Sequence, residues 1–214
     1  MNNPTQPVVD EAKFAGEHHF DFLDLTLEPT VAQPQDIPVS QLKKVIAEYG
    51  LFIVGHTNPF LPWASPITRL RKAALEELKE SIQVFSELGV KKVNIHPHWY
   101  QPNSAVGDVV QRNIKSLSEL LEETRRHSMD LMLEHQPNGS LCQPDAFLPI
   151  FEALPQLKFH LDVGHAHVAG QGENQTGKFL ENFKKRLLHV HFSDNKGLFD
   201  DHLPLGSGKI SWQD

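Results

Sequence analysis

Two side chains that can bind a metal or move a proton stand three residues apart in the segment LKFHLDVGH, residues 157–165. Asp162 ends a short apolar run, and His165 follows it. Side chains three apart in a continuing strand point to opposite faces, so the pair converges only if the chain turns. We expect Gly164 to make that turn, because glycine adopts backbone angles that are closed to other residues. The alternative interpretation is a buried aspartate that caps the following loop beside an ordinary histidine.

The same pattern recurs along the chain, where further apolar runs end in residues that can bind a metal. These runs end at His56, His96, Glu134 and His191. They follow one another at roughly 30 to 40 residues, the length of the strand, loop, helix and loop from which (β/α) barrels are built. Because the carboxyl ends of parallel strands lie at one face of such a fold, we expect these side chains to gather there.

The alternation of strand-like and helical segments predicts the fold class. Six strand-like runs alternate with helical segments, which indicates a parallel sheet in the α/β class. A closed barrel of this kind needs eight strands. We therefore predict a single domain, residues 1–214, with the fold of a (β/α)8 TIM barrel that is incomplete and lacks most of strand 1 and all of strand 8. The alternative is an open, doubly wound sheet, but that sheet usually holds its ligand at one switch point.

An incomplete barrel has two edge strands, and here they would begin near Phe20 and end at His191. Unpaired backbone groups along such edges favour association with another chain. We expect the 214-residue form to be poorly soluble or to form a homo-oligomer through these edges, and to have little or no activity.

Composition limits the classes of protein to which the chain can belong. A net charge of −7 disfavours a general nucleic-acid binder, because phosphates are bound mostly by clustered lysine and arginine. A single cysteine, Cys142, cannot form an internal disulfide, which indicates a reducing compartment. The sequence shows neither an apolar run near the ~20 residues of a membrane span nor a signal core. We therefore expect a cytoplasmic protein that does not enter a membrane.

Metals such as zinc and manganese take imidazole nitrogen and carboxylate oxygen from several chain segments. Asp200 and His202 add two such donors in the last loop, and their side chains project the same way if the backbone there is extended. A single histidine at a strand end is more often a hydrogen-bonded loop anchor than a metal ligand, so the prediction of a metal site depends on the whole set. The eight candidate ligands are His56, His96, Glu134, Asp162, His165, His191, Asp200 and His202.

Three motifs resemble those of one known superfamily. The first is HVHFSDNK at 189–196, which is followed by DDHLPLGSGKISW at 200–212. The second is LDVGH at 161–165, and the third is LE at 133–134. They are similar to the strand-seven, strand-six and strand-five signatures of the xylose-isomerase-like TIM barrels. That superfamily includes the sugar phosphate isomerases and epimerases and the metal-dependent apurinic/apyrimidinic (AP) endonucleases of family 2, and the resemblance covers essentially the whole chain.

The resemblance implies a divalent metal. In the endonuclease branch, the eight candidate positions match the ligands of three zinc ions. In the isomerase and epimerase branch, the positions of Glu134, Asp162 and His191 hold one ion of the manganese or magnesium type. A strand-eight glutamate completes that set, and we expect it to lie beyond Asp214. The expected metal is manganese or zinc, with magnesium, cobalt or iron as alternatives.

The resemblance also implies roles for individual residues. Glu134 and His165 are expected to be catalytic, and His98, Trp99 and Lys196 to bind the substrate. Ordinary packing in a loop is the alternative interpretation for Trp99.

The loops after the strand ends favour a small substrate over DNA. They are poor in lysine and arginine, and their aromatic side chains suit the faces of sugar rings, although they could also stack on bases. We interpret the chain as a sugar or sugar phosphate isomerase or epimerase that moves a proton through a metal-stabilised enediolate. Two alternatives remain: a zinc-dependent phosphodiesterase similar to the AP endonucleases, and a shortened barrel without catalytic activity.

Overall fold

A computed structural model describes residues 1–3, 5–98 and 104–213, in which strands and helices alternate as the sequence predicts. The strands are β1 (Phe22–Leu27), β2 (Phe52–Thr57), β3 (Lys92–Ile95), β4 (Asp130–Glu134), β5 (Lys158–Asp162) and β6 (Leu187–His191). The helices are α1 (Val8–Glu17), α2 (Val39–Tyr49), α3 (Thr68–Glu87), α4 (Val106–Arg126), α5 (Pro144–Ala153), α6 (Val163–Ala169) and α7 (Thr176–Phe183). Short 3-10 helices cover Pro34–Asp36 and Lys184–Arg186.

The six strands form one sheet in which spatial order follows chain order, β1-β2-β3-β4-β5-β6. The pairs β1/β2, β2/β3, β4/β5 and β5/β6 are all parallel. A doubly wound sheet reverses its strand order at a switch point, and this sheet does not. The sequential order therefore confirms the predicted class, an incomplete TIM barrel in which six parallel strands alternate with helices.

Glycines in the left-handed region follow two of the helices. Helix α2 ends at Tyr49, and Gly50 adopts a φ of 67° while its N–H donates to the carbonyl of Ile46. Gly89, just after α3, has a φ of 79°. A side chain with a Cβ rarely adopts such angles, so glycine is the residue suited to end each of these helices. Within the described ranges, no helix is long and apolar enough to cross a membrane.

The chain packs as two compact units, and each is described by itself. The first comprises Met1–Trp63, Ile67–Ile95 and Glu119–Leu131, and the second comprises Ala64–Pro66, His96–Ser118 and Met132–Asp214. The prediction of a single domain stays a prediction.

The core of the first unit is mainly aliphatic, with Leu25, Leu42 and Leu78 fully buried, and it includes the aromatic rings of Trp63 and Phe85. The core of the second unit is aromatic. Phe147, Phe159 and Phe179 are fully buried there, and the imidazole of His135 stacks on Phe179 with ring centroids 3.9 Å apart. Because His135 directly follows β4, this packing fixes the chain where the strand ends.

Candidate metal centre

Glu134, the last residue of β4, lies at the centre of a group of imidazoles in the second unit. Its side chain is buried, and four histidines surround its two carboxylate oxygens. Oε2 lies 3.3 Å from His96 Nε2 and 3.4 Å from His160 Nδ1. Oε1 lies 3.4 Å from His191 Nδ1 and 3.7 Å from His165 Nδ1. One carboxylate thus contacts imidazoles from two strands, one helix and the residue after β3.

Asp162 places a second carboxylate beside His191. The two residues are register partners on the neighbouring strands β5 and β6. Asp162 is 1% exposed, and its Oδ2 lies 3.6 Å from His191 Nδ1. Two carboxylates, those of Glu134 and Asp162, therefore face one imidazole nitrogen at the carboxyl ends of adjacent strands.

The pair Asp162 and His165 converges as predicted, but not by the predicted turn. Asp162 is the N-cap of helix α6, and its Oδ1 accepts a hydrogen bond of 2.7 Å from the backbone N–H of His165. Gly164 lies in the first turn of this helix and does not have a positive φ, so the expectation that it adopts backbone angles closed to other residues is wrong. Glycine is required there by a close approach instead, because a Cβ at Gly164 would meet the hydroxyl of Ser193. Asp162 is therefore a helix cap and a neighbour of the imidazole cluster at once.

His165 is held by hydrogen bonds at both ring nitrogens. Nδ1 donates to the backbone carbonyl of His135 at 2.8 Å, and Nε2 lies 3.1 Å from Asp200 Oδ2. Burial opposes the charged imidazole, but the carboxylates of Asp162, Asp200 and Glu134 outweigh it and raise the pKa of His165 to about 10. At neutral pH and without a metal, His165 is consequently an imidazolium that donates from both nitrogens.

Asp200 and His202 come together in the loop after β6, but not through the extended backbone that the prediction assumed, because His202 adopts a φ of 48°. Asp200 Oδ2 lies 2.9 Å from His202 Nε2, so the carboxylate bridges His202 and His165. Burial would raise the pKa of Asp200, but hydrogen bonds from His165 and His202 hold it well below its usual range. The same hydrogen bond raises the pKa of His202, whose side chain is more than half exposed.

The loop that carries Asp200 and His202 is anchored on a residue that the sequence analysis did not select, Asp194. Its fully buried carboxylate accepts hydrogen bonds from the backbone N–H groups of Asn195 at 2.8 Å, Gly206 at 2.9 Å and Ile210 at 3.1 Å. It also accepts one from Trp212 Nε1 at 3.1 Å. Burial favours the neutral acid, but these donors, Trp212 first among them, hold the pKa of Asp194 well below its usual range.

The sequence analysis also missed His160 and His189, which lie in the interior of β5 and β6. His160 is completely buried and is the register partner of His189. Each stands two residues before a predicted ligand, Asp162 or His191, and alternate residues of a strand share a face. This period of two could have identified both.

His56 belongs to the first unit and is the last residue but one of β2, which ends at Thr57, one residue later than predicted. It is buried, and its Nδ1 donates to the carbonyl of Thr57 at 3.0 Å. Burial raises the pKa of the nearby Glu28, while the charge of His56 opposes that shift. A place for His56 among the metal ligands stays a prediction.

The predicted substrate-binding residues are less clearly placed. His98 is half-buried, and burial lowers the pKa of its imidazole. The side chain of Asn113 accepts from the backbone N–H of His98 and donates to its carbonyl, both at 3.1 Å. Lys196 is exposed, and its backbone N–H donates to Asp201 Oδ2 at 3.1 Å. Trp99 lies outside the described residues. The roles of all three in substrate binding stay predictions.

The donor set of the second unit fits a divalent cation. One ligand atom each from Glu134, Asp162 and His191 lies within 4.8 Å of the others. Two carboxylates that are each 1% exposed carry negative charge out of water, and a cation offsets that cost directly. Carboxylate oxygens with one imidazole suit manganese, magnesium or zinc. The residues present therefore fit the metal that the sequence predicts, without selecting among these ions.

A family model described as the xylose isomerase-like TIM barrel matches residues 9–214. The chain belongs to the xylose isomerase-like TIM barrel family. Membership confirms the resemblance seen in the motifs, and the sequential parallel strands are those expected of this family.

Relatives of this xylose isomerase-like chain include proteins of different descriptions. An uncharacterized protein of Methanocaldococcus jannaschii is 32% identical over 206 residues, which are 92% of this chain and 69% of that protein. A probable endonuclease 4 of Thermosipho melanesiensis is 25% identical over 83% of this chain and 69% of its own length. The crystal structure of a D-tagatose 3-epimerase-like protein superposes with a TM-score of 0.80 at 29% identity, over 91% of this chain and 75% of that one.

Proposed function

We propose that the chain is a metal-dependent isomerase or epimerase of sugars or sugar phosphates. The observation that carries the proposal is the group formed by Glu134, Asp162 and His191 at the carboxyl ends of β4, β5 and β6. The likeness to a D-tagatose 3-epimerase-like protein at 29% identity supports a sugar as the substrate. The charge of −7 also favours a small substrate over a polyanion.

The reaction moves a proton off and onto a carbon beside a sugar carbonyl. A divalent ion held by Glu134, Asp162 and His191 would supply positive charge against the enediolate oxygens, where negative charge develops. Glu134 would take the proton from the carbon, since its carboxylate is buried and lies at the centre of the cluster. His165 would exchange the hydrogen bond that its Nε2 donates to Asp200 Oδ2 for one to a substrate oxygen and so hold the sugar in place.

Solvent exchange tests this chemistry more directly than product formation. The manganese-loaded chain is incubated with D-tagatose or L-ribulose in deuterium oxide, and deuterium at the carbons beside the carbonyl is followed by NMR. We expect exchange that requires the metal and falls about 100-fold or more in His165→Gln. Manganese affinity should hardly change in that variant, because His165 is outside the three-residue group.

An exposed histidine provides the matched control. His18→Gln should exchange at the wild-type rate, since His18 lies on the surface after α1. The proposal would be refuted if neither ketose took up deuterium while manganese was bound, or if His165→Gln catalysed the exchange as fast as the wild type.

A second candidate, zinc-dependent phosphodiester hydrolysis, is favoured by a specific observation. Asp200 bridges His165 and His202 at 3.1 and 2.9 Å, which adds a further set of donors beside the three-residue group. The 25% identity to a probable endonuclease 4 agrees with it. Cleavage of an oligonucleotide with one abasic site by the zinc-loaded chain is the test. His202→Ala should abolish cleavage if this candidate is right, and should leave ketose exchange intact if the first one is.

A further inference from the structure

Three imidazoles form a second group of donors next to the carboxylates. His160, His189 and His191 each offer one nitrogen, and these nitrogens lie within 4.8 Å of one another. The ring of His160 is 4.1 Å from that of His191 and 4.8 Å from that of His189, centroid to centroid. The ring planes are inclined by 77° and 67°, so the rings meet edge to face and do not stack.

The backbone builds this group with little freedom. His160 and His189 are register partners on β5 and β6, and His191 follows His189 by two residues on the same strand. His160 is fully buried, while His189 and His191 are half-buried. A buried imidazole on a paired strand keeps its position without a ligand, which lowers the entropy lost on binding one.

Carboxylates lie beside the Nδ1 atoms of two of the three rings. Glu134 Oε2 is 3.4 Å from His160 Nδ1, and Glu134 Oε1 and Asp162 Oδ2 are 3.4 and 3.6 Å from His191 Nδ1. A carboxylate beside Nδ1 favours the tautomer that carries its proton there, in which Nε2 holds the lone pair that binds a metal. Histidines that ligate metals are commonly oriented by a carboxylate in this way.

We propose that His160, His189 and His191 form a separate position for a divalent metal of the imidazole-preferring kind, namely zinc, cobalt, nickel or copper. Three nitrogens without an oxygen suit these ions and are poor ligands for manganese and magnesium. Metal–nitrogen bonds of about 2.0 to 2.1 Å bring ligand nitrogens to about 3.4 Å from one another, so small side-chain rotations from the observed separation are enough. The proposal does not depend on the sugar chemistry proposed above.

The two positions exclude each other because they share His191. In the group with Glu134 and Asp162, the nitrogen of His191 that faces the carboxylates is Nδ1. In the three-histidine group, Nδ1 keeps its proton and Nε2 binds. One chain therefore holds an ion at one of the two positions at a time, and the identity of the ion decides which.

Substitutions that touch only one group separate the two positions. His189 belongs to the three-histidine group alone, and Asp162 belongs to the carboxylate group alone. Cobalt binding is followed by its visible absorption, and manganese binding by the electron paramagnetic resonance of the free ion. We expect His189→Ala to lower cobalt affinity by about 100-fold and to leave manganese affinity within about threefold. Asp162→Asn should lower manganese affinity by about 100-fold and cobalt affinity far less, because Glu134 Oε1 still accepts from His191 Nδ1 in that variant.

A cysteine at position 189 reports contact with the metal directly and does not rely on a loss of binding. A thiolate is a stronger ligand than imidazole for cobalt, so His189→Cys should retain binding and show a sulfur-to-cobalt charge-transfer band. His18→Cys, at an exposed position, is the control. Neither this variant nor the wild type, which has Cys142, should show the band. Circular dichroism of each variant establishes that it is folded.

The proposal requires two results. His189→Cys shows the charge-transfer band, and His189→Ala and Asp162→Asn have opposite effects on the affinities for cobalt and manganese. Absence of the band in a folded His189→Cys chain would overturn it. So would equal changes of cobalt and manganese affinity in each variant, because a single position using one set of ligands would give that result.

Discussion

At the scale of single residues, the polar groups around Glu134 hold one another in position through hydrogen bonds and close contacts. Asp162 caps helix α6 and faces His191, and His165 joins the carbonyl of His135 to Asp200. Gly164 makes the arrangement possible because the hydroxyl of Ser193 occupies the space that a Cβ would need. Substitutions at these positions should therefore lower the free energy of unfolding even where no candidate metal ligand is removed.

Gly164→Ala should lower the free energy of unfolding by about 1 to 3 kcal/mol, since the new methyl group overpacks against Ser193. Chemical denaturation measures the change. Gly177→Ala is a matched control, because Gly177 is likewise the second residue of its helix, α7, and a Cβ there meets nothing within 4 Å. Adding Ser193→Ala to Gly164→Ala should recover part of the loss. Equal effects of the two glycine substitutions would contradict the close-packing explanation.

His135 should make the metal-free protein sensitive to mild acid. Burial among aromatic rings lowers the pKa of His135 from its ordinary 6.5 to about 4, so the folded state favours the neutral ring. The stabilisation is complete above pH 6.5 and is lost as the pH falls towards 4, by about 2 kcal/mol between pH 7 and pH 5. His135→Phe keeps a ring beside Phe179 and cannot titrate. In chelator, the change in unfolding free energy between the two pH values should be about 2 kcal/mol less favourable for the wild type than for the variant, and equal changes in the two proteins would refute the assignment.

At the scale of elements, the loop after β6 is held chiefly by Asp194, whose carboxylate accepts hydrogen bonds from three backbone N–H groups and from the Trp212 indole. Asp194 gathers donors from residues up to Trp212, and the loop in turn presents Asp200 and His202. The Gly-x-Gly turn of the motif has a packing reason too, since a Cβ at Gly208 would meet the Asp194 carboxylate. The motif therefore contains the residue that supports the loop as well as the two candidate ligands.

Asp194→Asn should loosen this loop, because an amide replaces one acceptor oxygen by a donor that faces other donors. We expect amide hydrogens at Gly206 and Ile210 to exchange at least about tenfold faster, with α1 and α2 unchanged. Trp212→Phe removes one donor and leaves the carboxylate intact, so it should have a smaller effect. Unaltered exchange in Asp194→Asn would show that the loop is held by other contacts.

Sequence periodicity predicted the strands and most helices, and the reasons for the exceptions are physical. Helix α6 was missed because all seven of its residues are buried, so it has no polar face and shows no helical period. Strand ends were found because apolar runs stop at a polar residue, which identified Glu134, Asp162 and His191. His160 and His189 lie within strands and were hidden by that rule. The bonds of Asp194 join residues up to 18 apart, and no local pattern reports them.

At the scale of the whole molecule, sequential parallel strands deliver side chains from three successive strand ends to one cluster in the second unit. Family membership and the order of the strands agree on the architecture. β1 and β6 stand at the two ends of that order, and self-association through them stays a prediction. Metal binding is the property on which the proposed chemistry depends, whichever substrate it serves.

Metal content at equilibrium tests the central claim most directly. The chelator-treated wild type and Glu134→Gln are dialysed against the same manganese solution, and bound metal is counted by elemental analysis. We expect about one manganese ion per chain in the wild type and a loss of affinity of about 100-fold or more in Glu134→Gln, since Glu134 lies at the centre of the cluster. Glu76→Gln, on the exposed face of α3, should match the wild type. Equal metal content in the wild type and Glu134→Gln would contradict the account.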